Sequence, residues 1–210
     1  MIRVFVIDDH HIMRDGLRRI LAEQADIEWV GEADNGRQAM AELQEKPCDI
    51  VLVGVSMPDM DGLELLKRFK MLVHPPRVLI LAVHAEATLA MRFVKAGARG
   101  FVTKNTASRQ LIEAIHQVAN GGCFIIPEIA EQLARQLGHD MPAVPHELLS
   151  NREYSVFRRL VAGHGISRIA KEMSLSPSTV STYRTRILEK LQVENNAGLI
   201  HYARERKMDI

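Results

Sequence analysis

Asp49-Ile-Val-Leu-Val-Gly54-Val-Ser-Met-Pro58 decides how the first half of the chain is read. Ile50 to Val53 is an unbroken apolar run and not an apolar/polar alternation, so both faces of the strand it predicts are buried. Strands of that kind belong to parallel sheets covered by helices on either side. Further strand candidates, mostly continuous apolar runs as well, stand at Val4 to Ile7, Trp29 to Glu32, Val78 to Leu81 and Phe101 to Val102. Between them apolar residues recur three to five apart, as in Ile12, Leu17, Ile20 and Leu21 or Leu89, Phe93 and Val94, which predicts amphipathic helices. Five strands alternating with helices predict a doubly wound α/β sheet, whose ligands gather at the carboxyl ends of the strands.

The residues at those ends are Asp8 and Asp9, Gly54, Ala82, and Thr103 and Lys104. Two carboxylates beside a lysine in one crevice suit a hard divalent cation and a phosphoryl oxygen. Asp9 could equally begin a helix with His10 and His11, since Asp favours a helix amino terminus. His10, His11 and His84 read as loop or helix-start residues, because no second cluster completes a metal-ligand set. Asp59 and Asp61 lie beyond Met57-Pro58 and are expected to shape the loop.

The 210 residues, 47% apolar and 25% charged, suffice for two modest cores. No apolar run approaches a membrane span, and Met1-Ile-Arg-Val-Phe-Val-Ile7 enters a strand pattern at once, so a cytoplasmic protein without a signal peptide is expected. Cys48 and Cys123 lack metal-ligand spacing and are expected to be reduced structural thiols. A net charge of +1 hides an asymmetry: residues 147–210 hold 11 Lys and Arg against 7 Asp and Glu, leaving 16 against 19 for the rest. That division suits an acidic regulatory part and a nucleic-acid-binding part.

A helix from Ser108 to Asn120 should stop at Gly121-Gly122, a short one should run from Pro127 to Leu137, and Gly138 to His146 reads as a linker. The expected division is therefore 1–121, 122–146 and 147–210. In the last part Ser150 and Glu153 have capping-box spacing, and Val156, Phe157, Leu160 and Val161 give that helix its buried face. Gly163 and Gly165 end it, Ile166, Ile169, Ala170 and Met173 mark a second helix, and Ser176-Pro177 starts a third. At about 100° per residue, Val180, Ile187, Leu188 and Leu191 fall on one side of the third helix and Ser178, Ser181, Thr182 and Thr185 on the other. Arg184 and Arg186 edge that polar face. Short hydroxyls flanked by guanidiniums can approach base edges while holding phosphates. Ordinary solvated faces prefer Glu, Lys and Gln, because Ser and Thr lower helix propensity.

On these residues the first 121 positions resemble the receiver domain of bacterial two-component response regulators, a five-stranded flavodoxin-like fold. The second part resembles the four-helix LuxR-type helix-turn-helix of the NarL/FixJ subfamily, through Leu149-Ser150-x-Arg152-Glu153, Ile169-Ala170, Ser178 to Arg184 and Lys190-Leu191. The Tyr183-Arg-Thr-Arg186 segment looks most like regulators similar to GacA and BvgA. The resemblance implies a pocket of Asp8, Asp9, Gly54, Ala82, Phe101 and Lys104, with magnesium on the acid pair and the lysine on a phosphorylated Asp. Gly54 stands where the family has that Asp, and Ala82 where it has a hydroxyl. A weak magnesium site at Asp8 and Asp9 is the most that this implies, and no catalytic residue is expected. By the same likeness Ser181, Thr182 and Thr185 face bases of double-stranded DNA, Ser178 extends that face, Arg184 and Arg186 hold the backbone, and a fourth helix from Ala197 to Arg204 makes a homodimer. The expected function is a DNA-binding regulator controlled without phosphorylation, with no membrane partner. The alternative is an acceptor-less variant of a regulator phosphorylated by a sensor histidine kinase.

Overall fold

In the computed structural model, which describes residues 1–55, 57, 59–60, 62–83, 85–131, 145–206 and 208, the chain divides into two compact units, 1–132 and 133–210. The expectations for Pro58, Asp61, His84 and 132–144 lie outside the described residues. Among those described, no helix is long and apolar enough to cross a membrane.

The first unit alternates β1 (Ile2–Ile7), α1 (His11–Ala22), β2 (Ile27–Ala33), α2 (Gly36–Glu45), β3 (Ile50–Gly54), α3 (Gly62–Phe69), β4 (Arg77–Ala82), α4 (Ala87–Ala96), β5 (Gly100–Thr103), α5 (Ser108–Ala119) and β6 (Phe124–Ile125). All pairings are parallel, in the order β2-β1-β3-β4-β5-β6. Val4 to Ile7 and Ile50 to Val53 are fully inaccessible, as their unbroken apolar runs require. The strand order reverses between β1 and β3, and Ile7 pairs with Val53. Asp8 and Gly54, each one residue on, are thereby set side by side at the sheet's switch point, where doubly wound sheets bind ligands.

Two departures from the sequence reading have physical causes. Five strands were expected, and β6 adds a sixth along the edge of β5: Gly121, at φ +85°, turns the chain out of α5, and Phe124 and Ile125 then pair with Gly100 and Phe101. A two-residue strand has too short a pattern to register. Ile12, assigned to the buried face of α1, is 87% exposed. The helix turns Arg14, Leu17 and Leu21 inward, and Ile12 lies about 140° from Leu17 around the axis. Beyond β6, residues 127–131 are helical, as expected from Pro127 onward.

The second unit opens with a 3₁₀ turn, Pro145–Leu148, followed by α6 (Asn151–Val161), α7 (Ile166–Glu172), α8 (Pro177–Leu191) and α9 (Asn196–Glu205). Phe157, Leu160, Ile169, Val180, Ile187 and Leu199 form its core, each no more than 2% exposed. His146, expected to end a linker, is instead buried, with its backbone N–H and Nδ1 at 3.2 and 2.9 Å from the Tyr202 hydroxyl. Both helix starts read from sequence are present: Ser150 and Glu153 form a capping box, and the Ser176 hydroxyl accepts from the Thr179 N–H ahead of Pro177. The turn between α7 and α8 contains no glycine and places Ser174 at φ +54°.

Candidate functional site

At the switch point Asp8 is completely buried and every part of it is engaged. Its backbone carbonyl accepts the Arg14 guanidinium at 2.7 Å, and its Oδ1 accepts the His10 backbone N–H at 2.9 Å. Lys104 Nζ stands 2.6 Å from Oδ2, an ion pair without hydrogen-bond alignment. His10 Nδ1 lies 3.0 Å from Asp8 Oδ1 and 2.7 Å from Asp9 Oδ1, and Lys104 Nζ is 3.4 Å from the same nitrogen. The backbone of Lys104 is tied to β4, its N–H donating to the Ala82 carbonyl at 2.6 Å. Phe101, fully buried on β5, packs its ring 6.3 Å from that of Phe93 on α4.

Gly54 completes this arrangement by having no side chain. A Cβ there would fall 2.8 Å from Asp8 Oδ2, closer than real Cβ contacts come, and a tight 3.3 Å from its Cγ. The Asp8 carboxylate therefore uses space that any other residue at 54 would claim. Asp59 is committed elsewhere: its two carboxylate oxygens accept the Gly36 and Arg37 N–H groups, satisfying orphan donors at the start of α2. It shapes the loop, as expected, by fastening it to α2. His10, read from sequence only as a loop or helix-start residue, stands at the N-cap of α1 and also bridges both acids. Its position directly after Asp8-Asp9 was the available signal.

The fit to magnesium is poor as the chain stands. A hard cation of this size needs several oxygen ligands in octahedral array. Asp8, Asp9 and His10 can bring three donor atoms within 4.8 Å of one another, but the Lys104 ammonium already occupies Asp8 Oδ2. A cation would have to displace it. Of the thiols, Cys48 is pushed up to about 12 by burial and by the charge of Asp49, so it stays a thiol at neutral pH.

On α8 the polar stripe lies where its spacing put it: Ser178, Ser181, Thr182, Thr185 and Arg186 are exposed, while Val180, Ile187 and Leu191 are buried. The hydroxyls of Thr182 and Thr185 donate to the carbonyls of Ser178 and Ser181 at 3.0 and 3.2 Å, bonds that fix the side chains against the helix. Arg184 is half-buried, its Nε donating to Asn196 Oδ1 of α9 at 2.7 Å. Nothing in the local pattern announces that contact, which crosses a helix boundary.

The frame behind α8 depends on two glutamates. Glu153, 4% exposed at its side chain, accepts the Ser150 N–H at 2.7 Å and Lys190 Nζ at 2.6 Å, joining α6 to the end of α8. Burial works against its charge, but Lys190 and Ser150 outweigh that and hold its carboxyl below the ordinary value of 4.5. Glu172 is likewise opposed by burial and held down by Arg168, His164 and Arg159. A depressed carboxylate contributes stability above its unfolded value that is lost as pH falls through the lower folded value. The second unit should therefore lose stability from about pH 4.5 downward. Glu153→Gln should flatten that slope and cost about 2 kcal/mol at pH 7, a buried-pair figure discounted for the partly exposed Lys190. All three tyrosines, Tyr154, Tyr183 and Tyr202, lie in this unit, so tyrosine near-UV dichroism against denaturant at several pH values, with the Trp29 transition followed separately by fluorescence and subtracted, reports it. An unchanged slope in the variant would remove Glu153 from the account.

Residues 4–116 match the response regulator receiver domain, and residues 147–203 match the bacterial regulatory proteins of the luxR family. The transcriptional regulatory protein UhpA of Salmonella typhimurium is 39% identical over 96% of this chain and 97% of its own. The response regulator GacA of Pseudomonas syringae is 38% identical over 95% of this chain and 94% of its own. Among solved structures, the RcsB response regulator of Salmonella typhimurium superposes with a TM-score of 0.80 over 97% of both chains at 24% identity, a likeness of fold.

Proposed function

The chain belongs to the response regulators with a luxR-family DNA-binding domain, and from that premise we propose that it regulates transcription through a pseudo-receiver, without a phosphorylated aspartate. The observation that carries this is the closed set Gly54, Asp8 and Lys104. In a working receiver a carboxylate nucleophile on β3 must stand free beside a bound cation. Here β3 ends in Gly54, Asp8 leans into the space over it, and Lys104 seals the acid with its own charge. The retained lysine and acids then have a structural reason to persist: they neutralise one another at the switch point. Control passes to abundance, or to a partner protein on the receiver surface. Full-length protein should bind DNA equally with and without a small phosphodonor and magnesium, measured by fluorescence anisotropy. A phosphodonor-dependent gain would show that another carboxylate accepts phosphate and would overturn the proposal. The second reading, an acceptor-less relative of a kinase-driven regulator, is supported by the survival of Asp8, Asp9 and Lys104 together and predicts full switching when Gly54→Asp restores the acceptor.

DNA is met by the exposed stripe of α8, and a homodimer forms through α9. Arg186 projects from the stripe as an exposed cation and contacts a phosphate; Ser178, Ser181, Thr182 and Thr185 face the groove. Arg186→Ala should weaken binding to every sequence and reduce the slope of log affinity against log salt by about one. Thr182→Ala or Thr185→Ala should instead shift preference among selected sites by about 1 kcal/mol. Equal salt slopes for wild type and Arg186→Ala would place a different face on the duplex.

A further inference from the structure

We infer that Asn196 is a positioning residue for DNA binding, one that orients the Arg184 guanidinium without neutralising it; this rests on the reading of α8 as the DNA-contacting helix. Three arginines of the second unit are paired with carboxylates, Arg159 and Arg168 with Glu172 at 3.3 and 2.7 Å and Arg206 with Glu205 at 3.9 Å, whereas Arg186 is an exposed cation with no partner among the described residues. Arg184 differs. Its Nε donates to an amide oxygen, Asn196 Oδ1, at 2.7 Å, and no carboxylate among the described residues pairs with it.

The chemistry of that choice is specific. A guanidinium carries five N–H donors in a fixed plane, and a partner on Nε fixes the plane while leaving the terminal fork open. That fork matches two oxygens of a phosphate. A carboxylate at the same place would fix the plane equally well but cancel the charge that releases counterions when a phosphate is bound. A neutral acceptor gives orientation and keeps the full charge. Asn196 is itself held in place, because it is the first residue of α9 and the neighbouring Asn195 caps that helix through the Gly198 N–H at 3.1 Å. The anchor is thus built on a helix start. It lies beside the exposed stripe: Arg184 is adjacent in sequence to Thr185, whose hydroxyl belongs to that face.

The test uses full-length protein and a fluorescent duplex of randomised sequence, since a phosphate contact weakens binding to all sequences alike. Asn196→Ala frees the arginine and should weaken binding roughly fivefold to tenfold, by analogy with a lost charge-assisted contact. The double change with Arg184→Ala should bind no more weakly than Arg184→Ala alone. Asn196→Asp keeps an acceptor on Nε and suits the first turn of a helix, so the unit should stay folded, yet the salt slope should fall by about one. Tyrosine near-UV dichroism and melting temperature check the fold of each variant. Additive losses in the double variant, or an undiminished slope in Asn196→Asp, would overturn the assignment. If Arg184→Ala alone leaves affinity and slope intact, Arg184 is off the DNA and the inference fails, whereas the Arg186 and threonine variants decide separately whether α8 is the contacting helix.

Discussion

Lys104→Met should destabilise the receiver by about 3 kcal/mol at neutral pH, the scale of removing one partner from a buried ion pair. Asp8 has no solvent exposure, and the Lys104 side chain is 17% exposed at 2.6 Å from it. Methionine keeps the packing of the stem and removes only the charge. The buried carboxylate would be left with the His10 backbone N–H and ring nitrogen as its neighbours. Trp29 on β2 is the single tryptophan of the chain, so urea unfolding followed by its fluorescence reports this unit alone. A loss under about 1 kcal/mol, the range of exposed pairs, would mean that the pair does not hold the switch point together.

Gly54→Asp should make the stability of the receiver depend on divalent cations. The new Cβ comes within 2.8 Å of Asp8 Oδ2, so the Asp8 carboxylate must shift, and a third carboxylate joins the buried Asp8 and the exposed Asp9. Without a cation the repulsion should cost on the order of 2 kcal/mol. Magnesium should restore it, because three carboxylates supply the oxygen ligands that two do not. With cation and phosphodonor the variant should take up phosphate. Its gain in dimerisation or DNA binding should nevertheless stay small, since Ala82 has no hydroxyl to follow the phosphoryl group and Phe101 is already fully buried against Phe93. Adding Ala82→Thr should produce the response. A complete switch by the single change would show that only one residue separates this receiver from a kinase-driven one.

Much of this was legible in the sequence because it depends on local pattern. Continuous apolar runs at Val4 to Ile7 and Ile50 to Val53 identify strands buried on both faces, and Ser150, Glu153, Ser176 and Pro177 mark helix starts at fixed offsets. The stripe on α8 follows from helical periodicity alone. What was not legible depends on approach in three dimensions. The sequence placed Asp8 and Lys104 in one crevice, but not their direct 2.6 Å ion pair across β3 and β4, nor the lean of Asp8 into the space over Gly54. Asp59 could be excluded as a free nucleophile only when its oxygens were found on the α2 N–H groups. Arg184 had the right composition for a phosphate contact, but its partner Asn196 lies beyond a helix end. Ser174 at φ +54° gave no glycine signal for its turn.

The most direct test of the pseudo-receiver is the intact mass of the wild-type protein after incubation with a small phosphodonor and magnesium, run beside Gly54→Asp as a positive control. The account predicts an unchanged mass for the wild type and a phosphoryl adduct on the variant. An adduct on the wild-type chain that maps to Asp8, Asp9, Asp59 or Asp61 would contradict it.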